Sequence, residues 1–402
     1  MPSPGDPVKS RTTRRTGVAL IAAVTLLFAS ACSDDKDDPK SAPTPGGSQS
    51  SAGDPVEAAT VTLTPVDKAT GVEPGTPVTV AVGGGKVTEV KVINAGGEEV
   101  DGALEGNAWK PKVPFMYGGK YTVTATATNA GNVPTTATAA FTVLNPTQPA
   151  TATFMPDADS TVGVGQPVSI TFDEPVKNHA AVTEAIKVNP TPAVEGAWHW
   201  FGDSRVEWRP KEYWPTGTQV KVDLNLRGVD LGGGVMSKQY KSFSFKISDT
   251  KRIAVVDADN YTMTVSENDE VVKTIPVTTG ERPEHTTWNG IMVMQERYRT
   301  LDMDSQTVGL GNEYLQSAVP YSMRLTTSGT FMHANTWASE DVFGSANTSH
   351  GCISMTEANA GWFYERSIRG DIVEVKGNED KPLEPTNGYR AWNLSWEEWT
   401  AS

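Results

Sequence analysis

The residues best suited to chemistry in this chain are a cysteine and two histidines. Cys352 ends the run Ser349-His350-Gly351-Cys352, and His333 precedes Ser349 with fifteen residues between them. A free thiol has a pKa near ~8.5, so only a small part is ionised at neutral pH, and the thiolate is the nucleophile. A catalytic cysteine therefore needs a base beside it. We predict that Cys352 is the nucleophile and that His333 takes its proton and later returns it.

Two neighbours of Cys352 extend this hypothesis. Gly351 lacks a Cβ, so the amides of Gly351 and Cys352 can turn toward a developing oxyanion, where one donor is typically worth ~3 kcal/mol. His350 has two open roles, holding the loop or moving protons directly. Zinc held by the two histidines and Cys352 is the alternative. It lacks an evident fourth ligand and would quench the thiolate, so we expect no metal and no cofactor.

The remaining histidines, His179, His199 and His285, are isolated in the sequence. We expect them to be surface or core residues without a chemical role.

The segment that must position these side chains, residues 250–378, has short alternating runs at 253–256, 261–265 and 271–277. Such runs predict β-strands. One helix is predicted over 356–367, with Thr356 as its N-cap and an end near Gly370. The segment is therefore predicted to be a mostly β domain with one main helix.

Residues 57–249 show short alternating runs broken by Gly, Pro and Asn, which are typical of sandwich domains. Trp109-Lys110-Pro111 and Gly118 recur as Trp208-Arg209-Pro210 and Gly217, each displaced by 99 residues. This offset predicts two tandem immunoglobulin-like sandwiches. Both lack cysteine, which excludes a disulfide between their sheets.

The first 31 residues have the layout of an export signal, with basic residues before an apolar run. The small residues that lead into Cys32 resemble a bacterial lipoprotein signal, although Ala29 stands where that family most often has Leu. The resemblance implies lipidation of Cys32 and an anchor on the outer face of the cell membrane. An ordinary signal peptide is the alternative. Residues 32–56 are rich in Pro, Gly, Ser and Asp, which predicts a flexible tether.

The formal net charge is -14. Removal of residues 1–31 would take away four basic residues and one acidic residue and make the remainder more negative still. We therefore exclude nucleic acid as a partner.

The stretch Phe331-Met332-His333 followed at this spacing by Ser349-His350-Gly351-Cys352 resembles the motif of the L,D-transpeptidase family, the YkuD-type domain. Flanking stretches agree over the whole of 250–378, and the tandem sandwiches with a tether resemble actinobacterial members. The implied fold class is mostly β. The predicted organisation is a lipoprotein signal peptide at 1–31, a tether at 32–56, Ig-like domains at 57–146 and 147–249, the catalytic domain at 250–378 and a Trp-rich tail at 379–402.

The resemblance also implies a reaction. Cys352 would be acylated by a tetrapeptide stem of peptidoglycan with release of D-Ala, and a diaminopimelate-type acceptor amine would then give a 3→3 cross-link. It implies that the backbone carbonyl of Ala334 orients His333 and that carbapenem-like β-lactams are inhibitors. The substrate contacts implied by the family are Tyr314, Ser328, Gly329, Ser349 and Ser354. Ser354 departs from the usual Asn or Arg, and its alternative role is a helix cap.

Three alternatives to cross-linking remain open: hydrolysis of the same acyl-enzyme, ligation of a protein amine to the wall, and an inert wall-binding scaffold.

The C-terminal tail carries Trp392, Trp396 and Trp399 at i, i+4 and i+7. This spacing predicts one apolar face of a short helix. We expect the face to dock on the second sandwich, with binding to lipid or wall as the alternative.

Overall fold

A computed structural model describes residues 57–309 and 311–401 of the chain. The predicted signal peptide, Cys32 and the tether lie outside these residues. The described residues form one compact unit. Within the described ranges, no helix combines the length and apolar character needed to cross a bilayer.

The N-terminal sandwich has two four-stranded sheets, β1-β3-β6-β5 and β2-β8-β7-β4. Alternating side chains on β7 point into its core, where Val123, Ala125 and Phe141 are almost fully buried. Its strands are β1 Thr60–Thr64, β2 Ala69–Val72, β3 Val78–Gly83, β4 Gly85–Asn94, β5 Gly102–Glu105, β6 Ala108–Pro111, β7 Lys120–Asn129 and β8 Pro134–Val143.

The second sandwich pairs the sheets β10-β16-β15-β12 and β13-β14-β11-β9, and a short helix α1, His179–Ala185, lies between β11 and β12. Its strands are β9 Ala152–Met155, β10 Thr161–Val162, β11 Val168–Phe172, β12 Ile186–Thr191, β13 Gly196–Phe201, β14 Arg205–Pro210, β15 Gln219–Asn225 and β16 Tyr240–Ile247.

The repeated tryptophans occupy equivalent places in the two sandwiches. Trp109 lies on β6 and Trp208 on β14, and both are buried. Each indole covers a glycine on the neighbouring strand, because a Cβ on Gly102 would lie 2.2 Å from Trp109 and one on Gly196 would lie 2.0 Å from Trp208. The 99-residue repeat therefore marks a shared packing unit, and the prediction of two Ig-like sandwiches is confirmed.

The C-terminal domain has a five-stranded sheet, β19-β18-β17-β25-β20, and a four-stranded sheet, β21-β22-β23-β24. Its regular elements are β17 Arg252–Asp257, β18 Thr262–Glu267, β19 Glu270–Pro276, β20 Gly290–Val293, β21 Glu296–Asp304, β22 Leu315–Arg324, β23 Phe331–Ala334, β24 Ile353–Met355, α2 Glu357–Arg366 and β25 Ile372–Lys376. Short 3-10 helices occur at Ser305–Val308, Glu340–Val342 and Ala391–Asn393. The mostly β fold agrees with the prediction.

The predicted helix is α2. The hydroxyl of Thr356 accepts a hydrogen bond from the Asn359 amide at 3.4 Å, so Thr356 is the N-cap. Ala360 and Phe363 are fully buried against the core between the sheets. The helix thus packs behind β23 and β24, the strands that flank the predicted site.

The second sandwich and the C-terminal domain are joined by backbone contacts. The amides of Gly163 and Gly165 donate to the carbonyls of Arg369 and Gly370 at 2.7 and 2.9 Å. A Cβ on Gly163 would lie 2.4 Å from backbone atoms of Gly370 and Asp371, so this close approach requires glycine. The two domains are therefore held in a defined orientation.

The tail docks on the second sandwich, as predicted, but its structure differs from one helix. Trp392 lies in the 3-10 turn, and α3, Trp396–Thr400, begins after the cap Ser395. Trp399 is fully buried and its indole donates to the Ala197 carbonyl at 2.9 Å. The guanidinium of Arg209 lies 4.7 to 5.3 Å from the rings of all three tryptophans, so one cation organises the face.

Candidate active site

His333 is the third residue of β23 and is only 4% exposed. Its Nδ1 lies 2.8 Å from the carbonyl of Ala334. A carbonyl only accepts hydrogen bonds, so Nδ1 carries the proton and Nε2 is left as an acceptor. Burial lowers the pKa of His333 to about 4, against the opposing effect of the Ala334 contact. The ring is therefore a neutral base at physiological pH.

Cys352 immediately precedes β24, which pairs in parallel with β23 so that His333 lies opposite Ser354. His333 and Cys352 line one cavity of about 120 Å³. Burial raises the pKa of the Cys352 thiol to about 11, although part of the residue meets solvent at this cavity. The thiol donates to the Gly329 carbonyl at 3.7 Å. The resting site therefore holds a neutral thiol and a neutral imidazole.

The loop before Cys352 is held by Ser349. Its hydroxyl donates to the Cys352 carbonyl at 2.6 Å and accepts from the Gly351 amide at 3.2 Å. The Gly351 amide is thus engaged by Ser349 in this conformation, and its role as an oxyanion donor stays a prediction. The Cys352 amide has no acceptor among the described residues and stays available. Gly351 has φ +116°, a conformation that requires glycine and explains its place in the motif.

His350 is turned toward a different group of residues. Its ring lies 5.2 Å from Tyr314 and 4.7 Å from His285, and its Nε2 is 3.8 Å from Glu313. The side chain is 42% exposed. It lines the cavity of Cys352 but makes no hydrogen bond to the thiol in the described structure. This placement favours the loop-holding role and leaves the proton-transfer role as a prediction.

The predicted substrate contacts fall in two adjoining cavities. Ser349 and Ser354 line the first, Ser328 and Gly329 line a second of about 170 Å³, and Tyr314 lines both. Burial, with a smaller effect from Cys352, raises the pKa of Tyr314 to about 12, so its hydroxyl is a donor. The structure thus places all five residues in two adjoining cavities, of which the first is lined by Cys352.

Ser354 has a buried hydroxyl with no partner in the described structure. Thr356 caps α2, so the alternative role of Ser354 as a helix cap is wrong. A buried polar group without a partner costs about 1–3 kcal/mol. Since Ser354 lines the cavity, that cost is offset if a substrate group binds the hydroxyl.

Sequence reasoning missed several residues of the second cavity. The Trp288 indole donates to the Ser328 hydroxyl at 3.1 Å, and the Lys381 ammonium lies 4.9 Å from the Trp288 ring centre. Both line the cavity with Ser328. Trp288, Ser328 and Lys381 are far apart in the sequence, so no local pattern indicated this grouping.

His285 was also misjudged. It was expected to be isolated, but its ring contacts His350, because the loop 280–287 folds against Gly351. The Thr287 hydroxyl fixes that loop by donating to the Gly351 carbonyl at 3.0 Å.

Two protein-family models match this chain and identify its class. A family model described as bacterial Ig domain matches residues 69–230, and one described as L,D-transpeptidase catalytic domain matches residues 251–375. The second match contains His333 and the Ser349 to Cys352 motif. The molecule therefore joins Ig-like sandwiches to an L,D-transpeptidase catalytic domain.

Two sequence relatives that cover most of the chain agree with this class. L,D-transpeptidase 2 of Mycobacterium tuberculosis is 36% identical over 347 residues, which are 85% of this chain and 84% of that relative. L,D-transpeptidase 5 of the same species is 31% identical, covering 86% of this chain and 77% of the relative. A solved structure of the L,D-transpeptidase LdtMt1 in complex with imipenem is 33% identical, with TM-score 0.48, and covers 57% of this chain and 100% of that one. From the sequence relatives, this chain belongs to the L,D-transpeptidase family.

Proposed function

We propose that this transpeptidase forms 3→3 cross-links in peptidoglycan through a thioester on Cys352. The observation that carries the proposal is the cavity shared by His333 on β23, Ser354 on the paired strand β24 and Cys352 immediately before β24. A neutral imidazole with a fixed tautomer and a protonated thiol that line the same cavity can act as base and nucleophile.

The reaction then proceeds in two acyl transfers. His333 Nε2 takes the thiol proton as the Cys352 sulfur attacks the carbonyl that follows the diaminopimelate L-centre. The Cys352 amide stabilises the oxyanion. The C–N bond breaks and D-Ala leaves as an amine with the proton from His333. The amine of a second stem next loses a proton to His333 and attacks the thioester, and the released sulfur regains that proton.

The experiment is mass spectrometry of the products made from purified tetrapeptide stems. We expect a cross-linked dimer and free D-Ala, and we expect a thioester adduct on Cys352 before the acceptor is added. Cys352→Ser is the matched control, because a hydroxyl is far less ionised and should carry no acyl group. A tripeptide product alone would indicate hydrolysis, and unchanged turnover of Cys352→Ser would overturn the proposal.

The same thiol is proposed to react with carbapenem-like β-lactams. Family membership and the availability of one nucleophile with one oxyanion donor support this extension. An adduct in wild type that is absent from Cys352→Ser is the expected result.

We propose further that residues 1–31 are a signal peptide and that lipidation of Cys32 anchors the protein at the outer face of the membrane. The basic residues, apolar run and small residues before Cys32 support this. Cys32→Ala should release the protein from membranes without changing catalysis in vitro. A mutant that still partitions with membranes, together with a wild-type N-terminus free of acyl groups, would contradict the anchor.

A further inference from the structure

A cluster outside the proposed catalytic pair brings together the side chains of His285, Glu313 and His350. The three come from separate segments: the loop 280–287 after β19, the residue two before β22, and the loop before β24. One candidate ligand atom from each lies within 4.8 Å of the others. Among the described residues this is the one convergent group of three or more His, Cys, Asp or Glu side chains.

The spacing within the cluster is not that of hydrogen bonds. Glu313 Oε2 lies 3.8 Å from Nε2 of His285 and also 3.8 Å from Nε2 of His350, beyond the usual hydrogen-bond range. No hydrogen bond to these three side chains occurs in the described part of the chain. The three polar side chains thus converge without forming hydrogen bonds to one another.

These distances are close to those that a tetrahedral metal imposes. With metal–ligand bonds of about 2.1 Å, tetrahedral ligand atoms lie roughly 3.4 Å apart. Shifts well under 1.5 Å would contract the cluster to that spacing, and the side chains are 22%, 41% and 42% exposed, which leaves them room to adjust. Two imidazoles and one carboxylate favour zinc-like divalent ions over calcium or magnesium.

We propose that His285, Glu313 and His350 form a site for a zinc-class divalent cation beside the Cys352 cavity, which His350 lines. Three protein ligands leave the fourth position to water or to a substrate group. The net charge of -14 favours cation binding. The site is separate from the two-histidine and thiol set considered from the sequence, because it shares only His350 with it.

The bound cation would restrain the side chains that separate the two cavities. His350 and Tyr314 line both cavities, and Glu313 and Tyr314 are adjacent. A metal that joins His350 to Glu313 and His285 therefore fixes the wall between the cavities. This consequence for substrate access rests on the proposed function, whereas cation binding itself does not.

The test measures zinc binding by calorimetry in the Cys352→Ser chain, which removes the catalytic thiolate as a ligand. We expect a zinc site whose affinity falls at least about tenfold with His285→Asn and with Glu313→Gln, since even indirect supports of a metal cost that much. His179→Asn is the matched control, because His179 faces Asp203 at 3.5 Å but belongs to no converging group of three in the described structure. The zinc affinity of the His179→Asn variant should be unchanged.

Cobalt supplies the second readout. Bound Co²⁺ should give a tetrahedral visible spectrum without a thiolate charge-transfer band, and both His285→Asn and Glu313→Gln should lose it while circular dichroism shows an intact fold. The proposal is overturned if no zinc binds, if zinc affinity survives both substitutions, or if His333→Gln alone removes it.

Binding of a tetrapeptide stem to Cys352→Ser with and without zinc then measures the effect of the cation on substrate access. Failure of stem recognition is therefore distinguishable from failure of the metal site.

Discussion

Burial acts in the same direction on the two groups that carry the proposed chemistry. It lowers the pKa of His333 to about 4 and raises that of Cys352 to about 11, and both shifts favour the uncharged form. The charge separation therefore has to arise during the reaction, when substrate displaces water and the Cys352 amide donates a hydrogen bond to the oxyanion. These environments therefore do not stabilise a resting ion pair between a Cys352 thiolate and a His333 imidazolium.

The protonation state of Cys352 gives a prediction. In a Cys32→Ala chain, which keeps one of the two cysteines, the rate of alkylation by iodoacetamide should still rise above pH 9. The reason is that the folded pKa is raised to about 11, so thiolate keeps forming as pH rises toward that value. In denaturant the same thiol should titrate near ~8.5. A plateau below pH 7 in the folded protein would show a preformed thiolate instead.

Ser354 gives a second prediction at this scale. Ser354→Ala should lower kcat/KM for the donor stem about fivefold, the equivalent of one hydrogen bond of ~1 kcal/mol. The melting temperature should not fall, because the hydroxyl has no partner in the described structure. Ser322→Ala is the control: that buried hydroxyl donates to Val319 at 3.0 Å, so its loss should reduce stability and leave stem kinetics intact. Equal kinetic effects from both substitutions would argue against a substrate contact.

At the scale of elements, the site depends on the turn between β22 and β23. Gly329 has φ +93°, and a Cβ there would lie 2.2 Å from Val308 Cγ1 in the preceding 3-10 helix. The Gly329 carbonyl accepts a hydrogen bond from the Cys352 thiol. The turn therefore couples the position of Cys352 to the packing of a segment distant from it in sequence.

Gly329→Ala should consequently impair acylation of Cys352 by at least about tenfold, because a displacement of the order of 1 Å near reacting groups can cost ~100-fold. Stopped-flow acylation by a carbapenem-like β-lactam measures it. Gly311→Ala is the matched control, since Gly311 also has positive φ, +60°, but open space around its Cβ direction. It should lose about 1–2 kcal/mol of stability from backbone strain alone. Similar acylation losses in both would contradict the steric argument.

At the scale of the whole molecule, the C-terminal tail links two domains. Trp399 packs on β13 of the second sandwich, while the Asn393 side chain accepts from the Ile291 amide at 2.7 Å and donates to its carbonyl at 2.6 Å on β20. Together with the Gly163 contacts, this makes the second sandwich a rigid support for the catalytic domain. Neither Cys352 nor His333 takes part in these contacts.

Trp399→Ala should therefore lower the free energy of unfolding by about 3–5 kcal/mol, as expected for a buried indole. Removal of residues from Ala391 onward should lower the melting temperature further and loosen the catalytic domain against residues 147–249. Acylation of Cys352 at low temperature should change little. Glu397→Gln, an exposed position on α3, is the control. An unchanged melting curve for the truncated chain would show that docking contributes no stability.

Much of this organisation could be predicted because it depends on neighbours in the chain. Alternation of apolar residues predicts strands wherever one face is buried, and the Trp109 and Trp208 repeat predicts two sandwiches because each indole fills the same place over a glycine. The Ser349 to Cys352 motif was readable because its backbone conformation requires Gly351. Thr356 marks the start of α2 through a local hydrogen bond.

Contacts between distant segments were decided only by the tertiary structure. The grouping of His285 and Glu313 with His350 depends on how three loops pack, the Gly351 amide is taken by Ser349 through a turn that spacing did not reveal, and the tail breaks into two short helical pieces around Arg209. Burial likewise sets the pKa values of His333 and Cys352, and burial is a property of all surrounding segments together. Sequence patterns record each residue's relation to its chain neighbours, whereas these features arise from long-range packing, which brings together groups that no local pattern connects.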